Sequence, residues 1–264
     1  MPSDGHPTRH PYFFPPGPRV LAHRGLVTRE AAELGVVENS FAAVAAAHAA
    51  GVDYVESDCH VTRDGVAVLF HDDDLTRIAG DPRRLSEVTS TELEAMMSDR
   101  GGLIEVAQAL DAFPTLRFNL DVKAAAAAET VGRLIAPNGE RVLVTSFSDK
   151  NRIEALDAAN RAGGERPATS PGTATMARLL AAVALGSDRA VRRILAGVDA
   201  IQVPERRGRV RVLTPRLVRA AHRHGVEVHV WTVNAPDDVR RLVESGVDGI
   251  VTDHADIALE TLAP

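Results

Sequence analysis

The most constraining feature of this chain is a rhythm in which short apolar runs alternate with amphipathic helical stretches almost from end to end. The runs fall at 19–23, 53–58, 117–122, 141–146, 166–170, 199–203, 226–232 and 249–252. Helical spacing of apolar residues fills 40–50, 124–134, 150–159, 173–184, 215–223 and 236–244. Continuous apolar strands separated by helices signal a parallel sheet covered on its outer face, because each right-handed crossover lays a helix there. Eight such units are what a closed (β/α)8 TIM barrel requires. An open doubly wound sheet is the alternative, and it would need fewer strands. The length of 264 residues suits one barrel domain.

One segment breaks the rhythm. The run 66–70 is strand-like, yet only residues 62–65 separate it from the preceding strand. So short a gap permits a hairpin but not a parallel crossover. Residues 66–71 therefore read as a small β-hairpin excursion after strand 2, and the stretch 73–105 could carry a small lid. Residues 1–18, rich in proline, read as an extended N-terminal arm rather than a packed element, and 19–264 as the barrel domain. Aromatics make up 4% of the chain, so Val, Leu, Ile and Ala must fill the core. A net charge of −6 argues against a nucleic-acid partner. One cysteine, Cys59, excludes an intrachain disulfide framework. The polar N-terminal stretch lacks the apolar segment of a signal peptide, and no run is long enough to span a bilayer. A cytoplasmic protein with no stable membrane anchoring is the expectation; nothing here speaks to oligomeric state.

Barrel enzymes carry their chemistry at strand C-termini. Strand one ends in Ala22-His23-Arg24-Gly25. Strand two contains Glu56-Ser57-Asp58, whose period-two spacing puts both carboxylates on one face. The hairpin ends in His71-Asp72, and strand three ends in Asn119-Leu120-Asp121-Val122-Lys123, again with the polar residues on one face. Charges pointing into a barrel mouth are costly unless paired or bound to a metal. Glu56, Asp58 and Asp121 offer hard oxygen ligands, suited to Mg2+ or Ca2+ rather than Zn2+.

Taken in order, His23-Arg24-Gly25, Glu38-Asn39-Ser40, Glu56-x-Asp58, His71-Asp72 and Asp121-Val122-Lys123 resemble the motifs of the glycerophosphodiester phosphodiesterase family. The segments from Val144 to Phe147, Val230 to Asn234 and Gly246 to Asp253 are also similar to that family's signatures. The resemblance runs from about Val20 to Asp256. It implies a TIM barrel that hydrolyses small glycerophosphodiesters to sn-glycerol 3-phosphate and an alcohol. It further implies that His23 and His71 are the acid–base pair, with neither role assigned between them, and that Glu56, Asp58 and Asp121 hold one divalent cation with Glu38 at or near it. Arg24 and Lys123 would contact the phosphate, and Trp231 would line the substrate. Asp121 stands where most members carry Glu, and Ser40 where Thr is more usual.

Other readings compete. Related barrels that cleave lysophospholipid or sphingomyelin head groups also use Asp at the third acidic position, which keeps a phospholipase D-like lyase or hydrolase open. A barrel that binds a phosphorylated ligand without turning it over would lack a catalytic residue, and none is missing. Asp121 and Lys123 could form a structural ion pair without metal. Glu38-Asn39-Ser40 also looks like a helix entrance, with Asn39 or Ser40 as N-cap. Trp231 could be a core ring, Cys59 an inert buried thiol, and the Arg206–Arg211 cluster a solvated loop.

Overall fold

A computed structural model describes residues 9–263. Among them run eleven strands: β1 (Arg19–His23), β2 (Tyr54–Val61), β3 (Ala67–Leu69), β4 (Arg117–Val122), β5 (Val142–Thr145), β6 (Ala168–Thr169), β7 (Ala200–Pro204), β8 (Arg206–Arg207), β9 (Val210–Arg211), β10 (Glu227–Trp231) and β11 (Gly249–Thr252). The α-helices are α1 (Arg29–Glu33), α2 (Phe41–Ala49), α3 (Thr76–Ala79), α4 (Ser90–Met97), α5 (Val106–Ala112), α6 (Ala125–Ile135), α7 (Asp149–Arg161), α8 (Thr173–Ala184), α9 (Asp188–Ile194), α10 (Pro215–His222), α11 (Pro236–Glu244) and α12 (Ala255–Leu262). Eight strands pair in parallel in the order β6-β5-β4-β2-β1-β11-β10-β7, a nearly closed barrel with helices outside. All eight expected strands are present. None of the described helices is long and apolar enough to cross a membrane.

The wall is thinnest between β6 and β7, which share no ladder. Pro167 and Pro171 flank β6 and remove backbone donors, so the strand stays short. Asp199 closes the seam instead. Its N–H donates to Thr169 O at 3.0 Å, and its carboxylate accepts from Thr169 N at 2.9 Å and from both Arg166 Nη atoms at 2.8 Å.

Side chains alternate across the wall with the period of two that strands impose. Val20, Ala22, Val55, Phe118, Leu120 and Val122 face outward into the main core with the helices. Leu21, Tyr54, Leu143, Ala168, Ala200 and Val251 join an inner cluster. Cys59 lies on the outward face, fully buried, and burial pushes its thiol pKa up, in keeping with an inert role.

The arm corrects an expectation. Residues 1–8 lie outside the described part, but Pro11–Phe13 forms a 3-10 turn whose Tyr12 and Phe13 are buried in the inner cluster. An unpacked course is ruled out because the lower barrel has few large side chains of its own, and these two rings fill it. Tyr54 Oη donates to Tyr12 O at 2.9 Å, and Arg19 donates to Phe13 O and to Gly17 O, tying the arm down.

β3 pairs antiparallel with β2, as the short gap required. The following stretch, α3 through α4, builds a small satellite core from Val68, Phe70, Leu75, Leu85, Val88, Leu93, Met97 and Leu103. That packing anchors the segment beside the barrel and supports the residues just after β3.

Low in the barrel, the fully buried His229 lies 2.9 Å from Glu227, whose carboxylate is also paired with Arg19 and Arg9. Gly249 makes room for the imidazole, since a Cβ there would lie 2.6 Å from His229 Cδ2. Burial, followed by the Arg19 charge, lowers the His229 pKa to about 3. The unfolded chain takes up this proton near pH 6.5 and the folded chain does not, so stability is full above that pH and falls as pH drops toward 3. The loss reaches about 2 kcal/mol by pH 5. Melting temperature measured from pH 7 to pH 5 should fall in the wild type with a steeper slope than in His229→Asn. Equal slopes would remove His229 as the cause.

Candidate active site

His23 ends β1, and the backbone turns sharply after it. Arg24 has φ 61° and Gly25 φ 88°. Holding a non-glycine residue there costs about 1–2 kcal/mol. Arg24 N donates to Glu56 O at 2.7 Å, and Asn39 N donates to Arg24 O at 2.8 Å, so both sides of the turn are pinned. Gly25 is required by close approach, as a Cβ would stand 2.7 Å from the Ala43 carbonyl carbon on α2. Ser40 is the N-cap of α2, accepting from Ala43 N, while Asn39 (φ 54°) turns inward instead. Asn39 Nδ2 donates to Asp58 Oδ2 at 3.3 Å, and Ser57 Oγ donates to Asn39 Oδ1 at 2.5 Å.

The ladders set the acids side by side. His23 pairs with Glu56, Glu56 with Asn119, and Asp58 with Asp121. Period-two geometry therefore delivers the shared face that the sequence implied. Lys123 Nζ stands between the two aspartates, 2.9 Å from Asp58 Oδ1 and 2.7 Å from Asp121 Oδ2. Arg24 Nη1 donates to Glu38 Oε1 at 2.6 Å, and its Nε lies 3.0 Å from Asp58 Oδ2 as an ion pair without hydrogen-bond alignment. Arg77 holds Glu38 from the other side at 2.8 Å. Burial, reinforced by the Asp58 and Asp121 charges, drives the Glu56 pKa well above the carboxylate range. Burial also raises Asp121, against the pull of Lys123. For Lys123 burial opposes the charge, but the Asp121 and Asp58 carboxylates outweigh it and raise its pKa.

Each sequence-chosen histidine is held by an aspartate. His71 follows β3, where Phe70 N donates to Asp58 O at 2.9 Å and brings it alongside the acidic end of β2. His71 Nδ1 is 2.6 Å from Asp72 Oδ1, and His23 Nδ1 is 2.6 Å from Asp253 Oδ1. Burial works against the Asp72 charge, yet hydrogen bonds from Arg77 and His71 hold its pKa below the usual value. The hydrogen bond from His23 lowers Asp253 likewise. Both carboxylates are thus ionised and accept only, so each Nδ1 carries a proton and each Nε2 is the ring nitrogen left for proton exchange. His23 Nε2 faces Glu56 Oε2 at 3.8 Å.

Asp253 is a site residue that reading residue types along the strands passed over. Its signal was its place at the end of β11, next to β1, with Asn234 fixing it: Asn234 Nδ2 donates to Asp253 Oδ2 at 2.7 Å, and Asp253 N donates to Asn234 Oδ1 at 2.9 Å. Phe147 was also passed over. It is exposed after β5, packs edge-on to Trp231 at 6.1 Å, and carries Lys123 Nζ over its ring at 5.2 Å. Trp231, half-buried, also leans on the inner cluster, so it joins the core to the mouth.

The three expected metal ligands share a face, and cations already reach two of them: Lys123 bridges Asp58 and Asp121, and Arg24 pairs with Asp58. Among the described residues no group of three carboxylate, imidazole or thiol side chains is drawn together as an ion would draw them. Instead Lys123 and Arg24 meet the acids directly. The donor set still fits a hard divalent cation: Glu56 Oε2 and Asp121 Oδ1 are buried without any hydrogen-bond partner.

Asp253→Asn should keep the fold, since the side chain is half-exposed, yet lower turnover by about 10²–10⁴-fold through a misplaced His23 proton. Rates beside melting temperatures check this. Unchanged turnover would leave the Asp253 contact without a role.

Known proteins of one family resemble this chain along nearly its whole length. Residues 23–257 match the model of the glycerophosphoryl diester phosphodiesterase family. A Mycobacterium tuberculosis protein named Probable glycerophosphodiester phosphodiesterase 2 is 36% identical, over 99% of this chain and 97% of its own. Among solved structures, a glycerophosphodiester phosphodiesterase from Thermotoga maritima has a TM-score of 0.69 at 22% identity, covering 92% of this chain and 97% of that one. An Oleispira antarctica phosphodiesterase, solved with the product sn-glycerol-3-phosphate, has a TM-score of 0.70 at 19% identity, covering 93% and 97%. With the fold shared and the family match spanning nearly the whole barrel, the chain belongs to the glycerophosphoryl diester phosphodiesterase family and is a phosphoric diester hydrolase acting on glycerophosphodiesters.

Proposed function

We propose that the barrel mouth cleaves glycerophosphodiesters to sn-glycerol 3-phosphate and an alcohol, with His23 and His71 as the proton-exchanging pair. The carrying observation is the twin arrangement of the two imidazoles, each with Nδ1 on an ionised aspartate and Nε2 left free. One Nε2 takes the proton of the attacking oxygen while the other, protonated, gives one to the departing alkoxide as the P–O bond breaks. Arg24 and Lys123 supply the positive charge that phosphoryl oxygens need in the transition state. Trp231, with Phe147 against it, lines the side of the mouth away from β2. The product bound by the Oleispira neighbour, sn-glycerol-3-phosphate, is the one proposed here.

Divalent-metal dependence is general in the family. Glu56, Asp58 and Asp121, with Glu38 beside them, would hold one Mg2+ or Ca2+. When bound, such an ion polarises a phosphoryl oxygen and offsets charge on the phosphate. Lys123 and Arg24, which now pair with those acids, would be left free to turn toward the substrate. A cytoplasmic setting suits the single buried thiol, Cys59.

Phosphate-monoester formation from a panel of glycerophosphodiesters, with Mg2+, Ca2+ or Mn2+ added or chelated, tests the reaction. His23→Ala and His71→Ala should each lower turnover by about 10²–10⁴-fold, and the double variant by much less than the product of the two losses. A single variant that keeps more than about a tenth of the rate would lose its assigned role.

The Lys123 contact keeps a second reading of Asp121 alive, as an ion-pair partner only. If Asp121 is a ligand, Asp121→Asn should weaken apparent metal affinity and rate together, with partial rescue by excess metal. Asp121→Glu should be milder, because a carboxylate can rotate to meet the ion. If Asp121 serves only Lys123, Asp121→Asn should lower the melting temperature and leave the metal titration unmoved.

A further inference from the structure

Between residues 186 and 226 the chain carries ten arginines and three acids, a local charge of +7 in a protein of −6, which leaves −13 for the remainder. The fold gathers this stretch into one quadrant around β7. The β8–β9 hairpin rises from the C-terminal end of β7 with Arg206, Arg207, Arg209 and Arg211, all exposed. α10 follows with Arg216 and Arg219 and is capped by Arg223, and α9 lies near it with Arg189, Arg192 and Arg193. A cavity of about 400 Å³ between α8, α9 and α10 is lined by Arg216, Arg219 and Arg223 with Val183, Asp188 and Val191, so α9 and α10 border one cavity, while Arg189, Arg192 and Arg193 line a separate pocket on α9.

The acids of the stretch do not neutralise it. Asp199 is taken by Arg166 at 2.8 Å, and Glu205 by Arg241 at 2.9 Å, both arginines lying outside the stretch. Asp188 is held by Arg223 at 3.3 Å and His224 at 3.4 Å. Eight of the ten arginines, all but Arg211 and Arg223, have no carboxylate within ion-pair distance among the described residues. Two exposed aliphatic side chains flank them, Leu185 at 84% and Val210 at 66%.

We infer that this quadrant docks the enzyme reversibly on an anionic phospholipid bilayer. Charge complementarity argues for an anionic partner: clustered Lys and Arg are drawn to acidic lipid surfaces by about 1 kcal/mol each. The apolar chemistry narrows the partner to a bilayer. Residues 186–226 contain no Phe, Tyr or Trp, so nucleobases would find no large aromatic face to stack on, whereas Leu185 and Val210 can enter a headgroup layer. The hairpin edge of the quadrant is contiguous with the mouth, so docking brings the opening to the surface where phospholipid-derived diesters arise. The docking does not rest on the catalytic reading, and it is measured without turnover.

Vesicle co-sedimentation of the full chain tests it, comparing phosphatidylcholine alone with phosphatidylcholine containing phosphatidylglycerol. Binding is expected only with phosphatidylglycerol, and should vanish near 1 M salt, where the screening length is about 3 Å. Arg206→Ser with Arg207→Ser, and separately Arg216→Ser with Arg219→Ser, should each lower the partition coefficient about 25-fold, from about fivefold per arginine. Arg133→Ser on the distant α6 should change nothing, and all variants should hydrolyse a soluble glycerophosphodiester at the wild-type rate. Absent binding, equal binding to pure phosphatidylcholine, or an equal loss in Arg133→Ser would overturn the proposal. So would reduced kcat/KM on the soluble diester, which would assign the arginines to substrate. Tighter binding of a single-stranded oligonucleotide at the same salt would overturn it in favour of a nucleic-acid partner.

Discussion

A single ammonium group stands where two buried carboxylates would otherwise repel each other. The β2–β4 register sets Asp58 against Asp121, and Glu56 lies two residues earlier on the same face. Three carboxylates buried this closely would not all remain charged, and burial alone already pushes Glu56 and Asp121 toward the neutral form. Lys123 meets both aspartates within 3 Å because it occupies the next inward position beyond Asp121. The same alternation that fills the barrel with Leu21, Leu143 and Val251 therefore puts acid and base at its mouth. Remove the common register, and neither the repulsion nor its remedy exists.

Much of this was legible from spacing. Alternation put Glu56 with Asp58, and Asn119 with Asp121 and Lys123, each set on one face of its own strand, and the four-residue gap before Val66 read that run as a hairpin strand rather than a barrel strand. What stayed hidden were contacts between residues far apart in the chain. His23 and Asp253 are 230 residues apart and meet only because β11 returns beside β1. The arm misled for another reason: prolines at 11, 15, 16 and 18 signal an irregular backbone, but irregular backbone can still pack, and Tyr12 and Phe13 are the rings that the aromatic-poor barrel interior lacks. Glu38 read as a residue at or near the metal, in a motif that also looked like a helix entrance capped by Asn39 or Ser40. Ser40 proved to be the cap, which leaves Glu38 free for Arg24 and Arg77.

The two ends of the barrel treat buried charge in opposite ways. At the closed end one carboxylate, Glu227, is set against Arg19 and Arg9, and the neighbouring imidazole is kept neutral. Two guanidinium groups meet that carboxylate, and Tyr12 and Phe13 are buried alongside. At the mouth the excess is negative: Glu38, Glu56, Asp58 and Asp121 face Arg24, Lys123 and Arg77, and two carboxylate oxygens lack partners. At the mouth a further cation is favoured electrostatically.

Strain marks the same place. Apart from glycines, Arg24 and Asn39 have positive φ, and the two are joined by a backbone hydrogen bond at the mouth. At about 1–2 kcal/mol each, such conformations persist only where neighbours over-determine them. Here Glu56 O pins Arg24, while Asp58 and Ser57 pin the Asn39 side chain. The turn thus takes its shape from the acidic end of β2 and in return supplies Arg24 to those acids. His23, one residue before the turn, inherits that rigidity from one side and receives Asp253 from the other. Its free Nε2 is therefore held in place by two strands that are neighbours of β1 in the barrel but lie at opposite ends of the chain.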